Sequence, residues 1–344
     1  MKRRRFFSLA ASIFLTVVLV ASCSQAPNAP ESDLGPAIKI GYSNWAGWWP
    51  WAVAEEEKLF EKNGVNVELK WFDGYVESME AFATGQLDGN SQTLNDTVSF
   101  AAGAPNGEVV VLVNDNSEGN DKIIVSQDIQ TIQDLKGKKV AVEEGVVDDF
   151  LLSLALEQAG MKRSDVEIVP LETGKAAAAF AAGQVDATGV FPPFWLTALE
   201  REGSKELVSS KEFPGAIPDL LVVSQTLIDQ QPEKVQALVN TWYDTLEFIE
   251  QNPEKSDEIM AKRAGVSTED FQKFKDGTRI FTIEENLEAF SPGDNMKHMP
   301  FAARKMADFM VSVGLMKQED IPDFEKLFDD RFVKAYAAEN ASAS

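Results

Sequence analysis

Residues 81–88 read Ala-Phe-Ala-Thr-Gly-Gln-Leu-Asp, and residues 179–186 read Ala-Phe-Ala-Ala-Gly-Gln-Val-Asp. Two further pairs of short segments match at nearly the same spacing, 39–42 with 139–142 and 67–69 with 166–168. The nearly constant offset of 98 to 100 residues indicates that the chain contains a diverged internal repeat.

Each copy of the repeat alternates short β-type segments with amphipathic helical segments. Glycines stand where helix C-caps are expected, at Gly64, Gly85, Gly160 and Gly183. The first copy predicts strands at 38–42, 65–71 and 87–91 with helices at 52–63 and 76–84; the second predicts strands at 139–142 and 166–170 with helices at 148–159 and 175–182. Such alternation is typical of parallel sheets covered by helices. The sequence therefore predicts an α/β fold with two similar lobes.

Two strands are expected to cross between these lobes, at about 122–126 and 219–224. The crossings divide the chain into a first lobe, residues 37–121 and 225–344, and a second lobe, residues 122–224. Beyond residue 224 the pattern is mostly helical. The clearest helix is predicted at 235–250, where one face is apolar: Val235, Leu238, Val239, Trp242, Leu246 and Ile249. We expect this C-terminal part to pack largely on the first lobe.

The N-terminal segment has the features of a bacterial export signal. Residues 2–5 are basic, residues 6–21 form a short apolar stretch, and Cys23 follows small residues. A stretch of this length fits a signal peptide and is short for a membrane span. The arrangement resembles the lipobox, which implies a signal peptide at 1–22, lipidation of Cys23 and a polar tether over 23–36. An ordinary signal peptide with an incidental Cys is the alternative. We expect a lipid-anchored protein on the periplasmic side of the bacterial cytoplasmic membrane.

Composition excludes several classes of function. One Cys and one His leave no internal disulfide and no Cys/His metal site, and no cofactor is expected. A net charge of −23 disfavours binding to nucleic acid. No nucleophile paired with a base is visible, so an enzyme is not expected. Residues 114–121 include Gly119 but lack the Glu that ends an EF-type calcium loop.

Candidate ligand-binding residues lie in loops that follow the predicted strands, because ligands bind outside the carboxyl ends of strands in open α/β sheets. Four of the seven Trp residues fall within 45–51. The candidates are Ser43, Trp45, Trp48, Trp49, Asn95, Asp96, Glu143, Glu144, Asp148, Trp195 and Asp219. Aromatic faces attract cations, and carboxylates accept charge-assisted hydrogen bonds. The set favours a small nitrogen-containing organic cation, either guanidine-like or an amine.

Several of these candidates also have purely structural interpretations. Clustered Trp residues often pack in a core, so one or two of the four within 45–51 are expected to be structural. Asp148 and its neighbour Asp149 can cap the following helix, whose N-terminus favours negative charge.

The order and spacing of several segments resemble the substrate-binding proteins of nitrate/sulfonate/taurine-type ABC importers. These segments are the lipobox at Cys23, 38–42 (IKIGY), 57–60 (EKLF), 115–121 (DNSEGND), 134–142 (DLKGKKVAV), 183–187 (GQVDA) and the aromatic turn ending at Trp195. The resemblance covers nearly the whole mature chain. It implies a type II periplasmic-binding-protein fold, with two α/β lobes, a hinge of two crossing strands and closure around ligand. It also implies ABC permease and ATPase subunits as partners.

The sequence departs from the anion-binding members of that family in the loop at 143–149. Those members commonly keep this loop small and polar, so that helix N-terminal amides hold an anion. Here the loop carries Glu143, Glu144, Asp148 and Asp149, which favours a cation. Taurine or an aliphatic sulfonate, nitrate and a pyrimidine are alternative ligands, and a ligand-sensing lipoprotein is the alternative to an importer subunit. A related fold makes the thiamine pyrimidine, but that branch depends on Cys and His residues that this chain lacks.

Overall fold

The computed structural model describes residues 34–341. The predicted signal peptide, Cys23 and residues 23–33 of the predicted tether lie outside the described residues. Within 34–341, no helix combines the length and the apolar character needed to cross a bilayer.

The strands of the described part form two sheets, each the centre of one lobe. The strands are β1 (Ile38–Tyr42), β2 (Val67–Trp71), β3 (Gly89–Thr93), β4 (Val109–Ser117), β5 (Lys122–Val125), β6 (Lys139–Val142), β7 (Glu167–Pro170), β8 (Ala187–Val190), β9 (Lys205–Ser209), β10 (Pro218–Val223) and β11 (Thr278–Ile280). Sheet 1 has the order β11-β4-β10-β3-β1-β2, and sheet 2 has the order β7-β6-β8-β5-β9. In sheet 1, β1 is parallel to β2 and β3, whereas β10 is antiparallel to β3 and β4.

Helices cover both sheets and form the C-terminal part of the chain. They are α1 (Pro50–Glu56), α2 (Leu59–Lys62), α3 (Tyr75–Ala83), α4 (Leu94–Ala101), α5 (Val147–Gln158), α6 (Thr173–Ala181), α7 (Phe194–Ala198), α8 (Gln225–Gln230), α9 (Pro232–Gln251), α10 (Pro253–Ala264), α11 (Thr268–Lys275), α12 (Ile283–Phe290), α13 (Met299–Val313) and α14 (Arg331–Ala341). In the C-terminal part, α9 packs against α1 and α2, and α13 packs against α4.

The internal repeat has the same local structure in both lobes. The backbone N–H of Lys39 donates to Asp88 Oδ2 at 2.8 Å, and the equivalent N–H of Lys139 donates to Asp186 Oδ2 at 2.9 Å. Lys39 is the second residue of β1 and Lys139 is the first residue of β6, and each strand is parallel to its neighbour. The matched segments therefore perform the same structural task, which is to fix the start of the first strand of each copy.

The predicted helix at 52–63 is instead two helices, because Lys58 adopts the left-handed conformation with φ of 55°. The third strand of the first copy, predicted at 87–91, begins later and covers Gly89–Thr93. The first strands of the two copies, Ile38–Tyr42 and Lys139–Val142, lie where the sequence predicted them.

The return crossing lies earlier in the chain than expected. Residues 219–224 were predicted to cross back and to end the second lobe, but β10 lies wholly within sheet 1, hydrogen-bonded to β3 and β4. The chain therefore leaves sheet 2 after β9 and crosses within 210–217. In the other direction it crosses within 118–121, between β4 and β5. The two crossings touch, since the backbone N–H of Gly119 donates to Ser210 Oγ at 2.7 Å.

Candidate functional site

A cavity lies between the two lobes, at the carboxyl ends of their strands. Its volume is about 10 Å³, close to the smallest space that holds one water molecule. Its walls come from the loop after β1, the end of β3, the start of β10, the 118–121 crossing, the start of α3 and α5, and the turn after β8. The lining residues are Asn44, Trp45, Trp48, Tyr75, Thr93, Asp121, Val147, Phe191 and Asp219. The first and second lobes therefore both contribute residues to the cavity wall.

Four aromatic rings form one wall of the cavity. The ring centroids of Trp45 and Phe191 are 6.4 Å apart and nearly perpendicular. The rings of Trp48 and Tyr75 are 5.7 Å apart. Phe191 from the second lobe also meets Tyr75 from the first at 6.4 Å. The aromatic wall therefore continues across the boundary between the lobes. The π-electron density of these rings can attract a cationic ligand in the cavity.

Two carboxyl side chains line the cavity, and both are buried. Asp121 and Asp219 are 2% and 1% exposed, and one oxygen of each, Oδ2, has no hydrogen-bond partner among the described residues. Burial raises the pKa of Asp121 to about 7 and that of Asp219 well above its usual range. A buried acceptor without a partner is costly, so these oxygens mark a place where a donor is needed.

A third buried carboxyl, Asp115, lies behind Asp219. The two residues are direct neighbours across β4 and β10. Trp45 Nε1 donates to Asp115 Oδ1 at 3.0 Å, which fixes both the carboxyl and the indole that lines the cavity. Burial raises the pKa of Asp115, and burial together with the Asp115 charge raises that of Asp219. A proton held by Asp219 can therefore be donated to Asp115 in a shared hydrogen bond.

Asp96 lies one layer outside the cavity wall. It is fully buried, and it accepts hydrogen bonds from Thr93 Oγ1 at 2.7 Å and Asn95 Nδ2 at 2.6 Å. Burial raises the pKa of Asp96 to about 7. Thr93 also donates its backbone N–H to the hydroxyl of Tyr75 at 2.9 Å. Asp96 and Asn95 thus hold the wall residues Thr93 and Tyr75 in place.

Glu143 is also buried and lies at the inter-lobe boundary without lining the cavity. Its Oε2 accepts a hydrogen bond from Thr173 Oγ1 at 3.0 Å. Burial raises its pKa. The neighbouring Asp148 accepts the backbone N–H groups of Glu143 and Asp149, both at 3.0 Å, so it organises the loop before α5. Asp148 is the second residue of α5 and not its N-cap, a position that Val146 occupies without a side-chain hydrogen bond.

Four further predicted site residues, besides Asn95, Asp96, Glu143 and Asp148, do not line the cavity. Trp49 packs in the core against Phe271 and Phe274, and Trp195 packs against Phe274 at 5.1 Å. Glu144 points outward and pairs with Arg163 at 2.9 Å. Ser43, the first residue of the loop after β1, is buried and does not line the cavity. Trp45, Trp48 and Asp219 are the predicted residues that the structure brings to the cavity wall.

The sequence reasoning missed several residues that the structure places here: Asn44, Tyr75, Thr93, Asp115, Asp121 and Val147. One feature of the sequence could have indicated part of this site. Strand β4 begins with five consecutive apolar residues, Val109 to Val113, and continues into the polar run at 114–117, which is equally buried. Buried polar residues that continue an apolar strand indicate a site. No group of three His, Cys, Asp or Glu side chains within 34–341 is arranged to hold a metal ion.

Comparison with known proteins identifies relatives over most of the chain. Residues 32–264 match the profile of the NMT1-like family. A provisionally named binding protein of Brucella abortus (strain 2308) is 29% identical over 322 residues, which is 92% of this chain and 95% of that protein. The taurine-binding periplasmic protein of Escherichia coli (strain K12) is 29% identical over 227 residues, covering 63% of this chain and 69% of that protein.

Solved structures show the same fold. The periplasmic aliphatic sulphonate binding protein SsuA from Escherichia coli superposes with a TM-score of 0.70 at 22% identity, covering 86% of this chain and 93% of that one. The periplasmic nitrate-binding protein NrtA from Synechocystis PCC 6803 superposes with a TM-score of 0.70 at 15% identity, covering 92% and 91%. At these identities the likeness establishes the two-lobed periplasmic-binding-protein fold and does not identify the ligand.

Proposed function

This chain belongs to the NMT1-like family and is a solute-binding protein of the ABC-importer type, and we propose that its ligand is a small nitrogen-rich organic cation, guanidine-like or an amine. The ligand is held in the cavity between the lobes and passed to an ABC permease driven by an ATPase. In this proposal the aromatic wall and the buried carboxyl groups recognise the cation.

The observation that carries the proposal is the pair of buried carboxyl groups on the cavity wall. Asp121 and Asp219 both line a space from which water is largely excluded, and the Oδ2 atom of each lacks a hydrogen-bond donor among the described residues. An ionised pair in such a place is unfavourable unless a cation compensates it. A planar cation with several N–H groups can donate to both oxygens while its face contacts Trp45 or Trp48.

The charge of the cavity argues against an anion. The named relatives bind taurine, aliphatic sulphonates or nitrate. In this chain the residues that line the cavity include two Asp and no Lys, Arg or His. A sulfonate or nitrate would face two carboxyl groups with no basic side chain to compensate, and like charges at close range cost several kcal/mol.

The size of the cavity favours a small ligand. Its volume of about 10 Å³ is close to the smallest space that holds one water molecule, so a ligand enters only if the wall side chains or the lobes move apart. A guanidinium ion or a short alkylamine requires a small movement, whereas long polyamines and sugars require a much larger one.

The proposal includes attachment of the protein to the membrane through a lipid at Cys23, because the Cys directly follows an apolar stretch ending in small residues. Cell fractionation tests this step. The unchanged protein is expected in the membrane fraction, and Cys23→Ser is expected in the soluble fraction. Recovery of both proteins in the soluble fraction contradicts the anchor and leaves the ligand proposal unaffected.

Thermal unfolding in the presence of candidate ligands tests the ligand. The chain from Ser24 to Ser344 is mixed with guanidinium, methylguanidinium, methylammonium, taurine, methanesulfonate or nitrate. A ligand that binds only the folded state at 100 times its Kd adds about 2.7 kcal/mol of stability. We expect a rise in Tm with guanidinium or a small amine. A rise with taurine, methanesulfonate or nitrate and none with any cation contradicts the proposal.

Two substitutions locate the binding site. Asp219→Asn and Asp121→Asn remove one charge each with little change in shape, and both are expected to abolish the Tm response to the cation. The matched control is Asp294→Asn, which removes the same charge from an exposed position. An unchanged response in both site variants would place the ligand elsewhere.

A further inference from the structure

Of the four aromatic residues within 34–341 that line the cavity, Phe191 alone belongs to the second lobe. It directly follows β8, and its backbone carbonyl oxygen accepts the backbone N–H groups of Phe194 at 2.8 Å and Trp195 at 3.3 Å. The residue is buried, with 5% of its surface exposed. The backbone of Phe191 is therefore fixed at the end of a strand of sheet 2, and the second lobe carries its ring.

The ring of Phe191 packs against two rings of the first lobe. Its centroid lies 6.4 Å from that of Trp45 and 6.4 Å from that of Tyr75, and both pairs are nearly perpendicular. In its own lobe the ring meets Phe194 at 5.6 Å. Because Trp45 and Tyr75 also line the cavity, the ring of Phe191 bridges the two lobes at the cavity itself.

Hydrogen bonds hold the two rings of the first lobe, whereas packing alone holds the ring of Phe191. Trp45 Nε1 donates to Asp115 Oδ1 at 3.0 Å, and the hydroxyl of Tyr75 accepts the backbone N–H of Thr93 at 2.9 Å. The side chain of Phe191 has no polar atom that could be tied in this way. The position of the Phe191 ring therefore decides how much room remains in the cavity, which in the closed protein is about 10 Å³.

We propose that Phe191 is a specificity-determining residue, whose ring occupies the space into which the substituent of a longer cation would extend. Guanidinium or a short alkylamine needs only a small displacement of this ring, whereas a cation with a bulky apolar substituent must displace it completely. Closely packed side chains resist such a displacement, because added volume forces them out of their preferred rotamers. The inference rests on the proposed function, since it names the size of cation that the same cavity accepts.

A cation that carries its own ring tests the inference. Phe191→Ala is expected to leave an apolar hole beside Trp45 and Tyr75, and apolar cavities in proteins can bind benzene. Calorimetry measures the affinities of wild type and variant for guanidinium and for phenylguanidinium. Wild type is expected to bind guanidinium more tightly than phenylguanidinium. The variant is expected to bind phenylguanidinium at least about tenfold more tightly than wild type does, because the ring of the ligand is buried in place of the missing one.

The matched control is Phe194→Ala, which removes the same ring from a residue that contacts Phe191 but does not line the cavity. It is expected to bind phenylguanidinium as wild type does. Phe191→Leu, which keeps a smaller apolar side chain, is the second variant and is expected to give a smaller gain in the same direction. Circular dichroism verifies that each variant is folded. If no folded variant at position 191 binds phenylguanidinium more tightly than wild type does, the inference is wrong.

Thermal unfolding with toluene separates this inference from the proposed ligand, because toluene carries the ring without the charge. If toluene raises the Tm of Phe191→Ala but not that of wild type, and neither protein binds guanidinium or phenylguanidinium, the proposed ligand is overturned and the role of Phe191 is supported. If wild type binds guanidinium and the variant gains affinity for neither phenylguanidinium nor toluene, only the role of Phe191 is overturned.

Discussion

Asp115 and Asp219 lie directly opposite each other on adjacent antiparallel strands, and both carboxyl groups are buried. The strands that carry them, β4 and β10, are the two that lead to and from the second lobe. The pair therefore joins the ligand cavity to the base of the hinge, and its state of protonation affects both binding and stability.

The first prediction concerns stability against pH. A carboxyl whose pKa is raised on folding stabilises the protein below about pH 4, the ordinary pKa of Asp, and this contribution is lost as pH rises through the folded-state value. Burial raises the pKa of Asp121 to about 7 and that of Asp219 well above its usual range. The ligand-free protein is therefore expected to lose stability between about pH 4 and pH 7, measured as a falling Tm.

The variants Asp121→Asn and Asp219→Asn separate this effect from general surface charge. Both are expected to have a higher Tm than wild type at about pH 8, because each removes a buried charge without a partner. Asp294→Asn should follow the wild-type curve. Parallel pH curves for all four proteins would show that the buried carboxyl groups do not titrate in this range.

The second prediction concerns affinity against pH. A cation that binds the ionised carboxyl groups must displace the protons that Asp121 and Asp219 hold, so binding releases protons. Burial raises the pKa of Asp121 to about 7, so affinity for guanidinium is expected to fall as pH falls below about 7, by about tenfold per pH unit for each displaced proton. Calorimetry in two buffers of different ionisation enthalpy counts the protons. A Kd independent of pH between about 5 and 8 would mean that the pair is already ionised without ligand.

The third prediction concerns Gly47. A Cβ atom built on Gly47 would lie 1.8 Å from Asp115 Oδ2, a distance at which one of the two must move. Gly47→Ala is therefore expected to displace the Asp115 carboxyl, break its hydrogen bond with Trp45 and lower both Tm and cation affinity. Calorimetry and thermal unfolding measure the two losses.

Two further variants check the steric cause at Gly47. At Gly103 an added Cβ meets only the Phe100 carbonyl oxygen at 3.6 Å, so Gly103→Ala is the tolerated control. In the double variant Gly47→Ala with Asp115→Ala, the shorter side chain is expected to restore much of the lost stability without restoring binding. Equal losses in the single and double variants would contradict a clash with Asp115.

The sequence predicted the parts of the fold that local patterns determine. Strand β1 and strand β6 follow from short apolar segments, and the glycines at the helix ends mark where the helices stop, as the left-handed φ of 75° at Gly64 confirms. The loop after β1 was also recognised from its Trp residues, two of which line the cavity.

The site itself could be predicted only in part, because its carboxyl groups meet through long-range pairing. Asp115 and Asp219 face each other only because β10 inserts between β3 and β4, and no local pattern encodes that order. The role of each Trp also depends on distant partners. Trp49 and Trp45 belong to the same loop, yet one packs on Phe274 of α11 and the other donates to Asp115.

The fourth prediction concerns Lys58, whose φ of 55° lies in the left-handed region between α1 and α2. A side chain in this conformation carries a steric cost of about 1–2 kcal/mol. Replacement by glycine removes this cost, but glycine loses more conformational entropy on folding, which cancels part of the gain. Lys58→Gly is expected to raise the free energy of unfolding by about 0.5–1 kcal/mol. Lys62→Gly, within α2, should lower it by about 0.5–1 kcal/mol. Urea unfolding compares them, and destabilisation by Lys58→Gly would show that its side chain contributes contacts that outweigh the strain.

The fifth prediction separates the two buried Trp residues at 48 and 51. Trp48 lines the cavity and packs on Tyr75. Trp51 stacks on Phe60 in the core, packs at a tilt against Trp242 and donates to Ser91 Oγ. Trp48→Leu is expected to weaken guanidinium binding about tenfold, within the range of a desolvated cation–π contact. Trp51→Leu is expected to lower Tm strongly, because a core cavity replaces the indole, while the Kd measured well below Tm stays within about twofold. Calorimetry gives the Kd values and thermal unfolding gives the Tm values. If Trp51→Leu weakens binding as much as Trp48→Leu does, the cation does not contact the ring of Trp48. The aromatic wall then serves only to close the cleft.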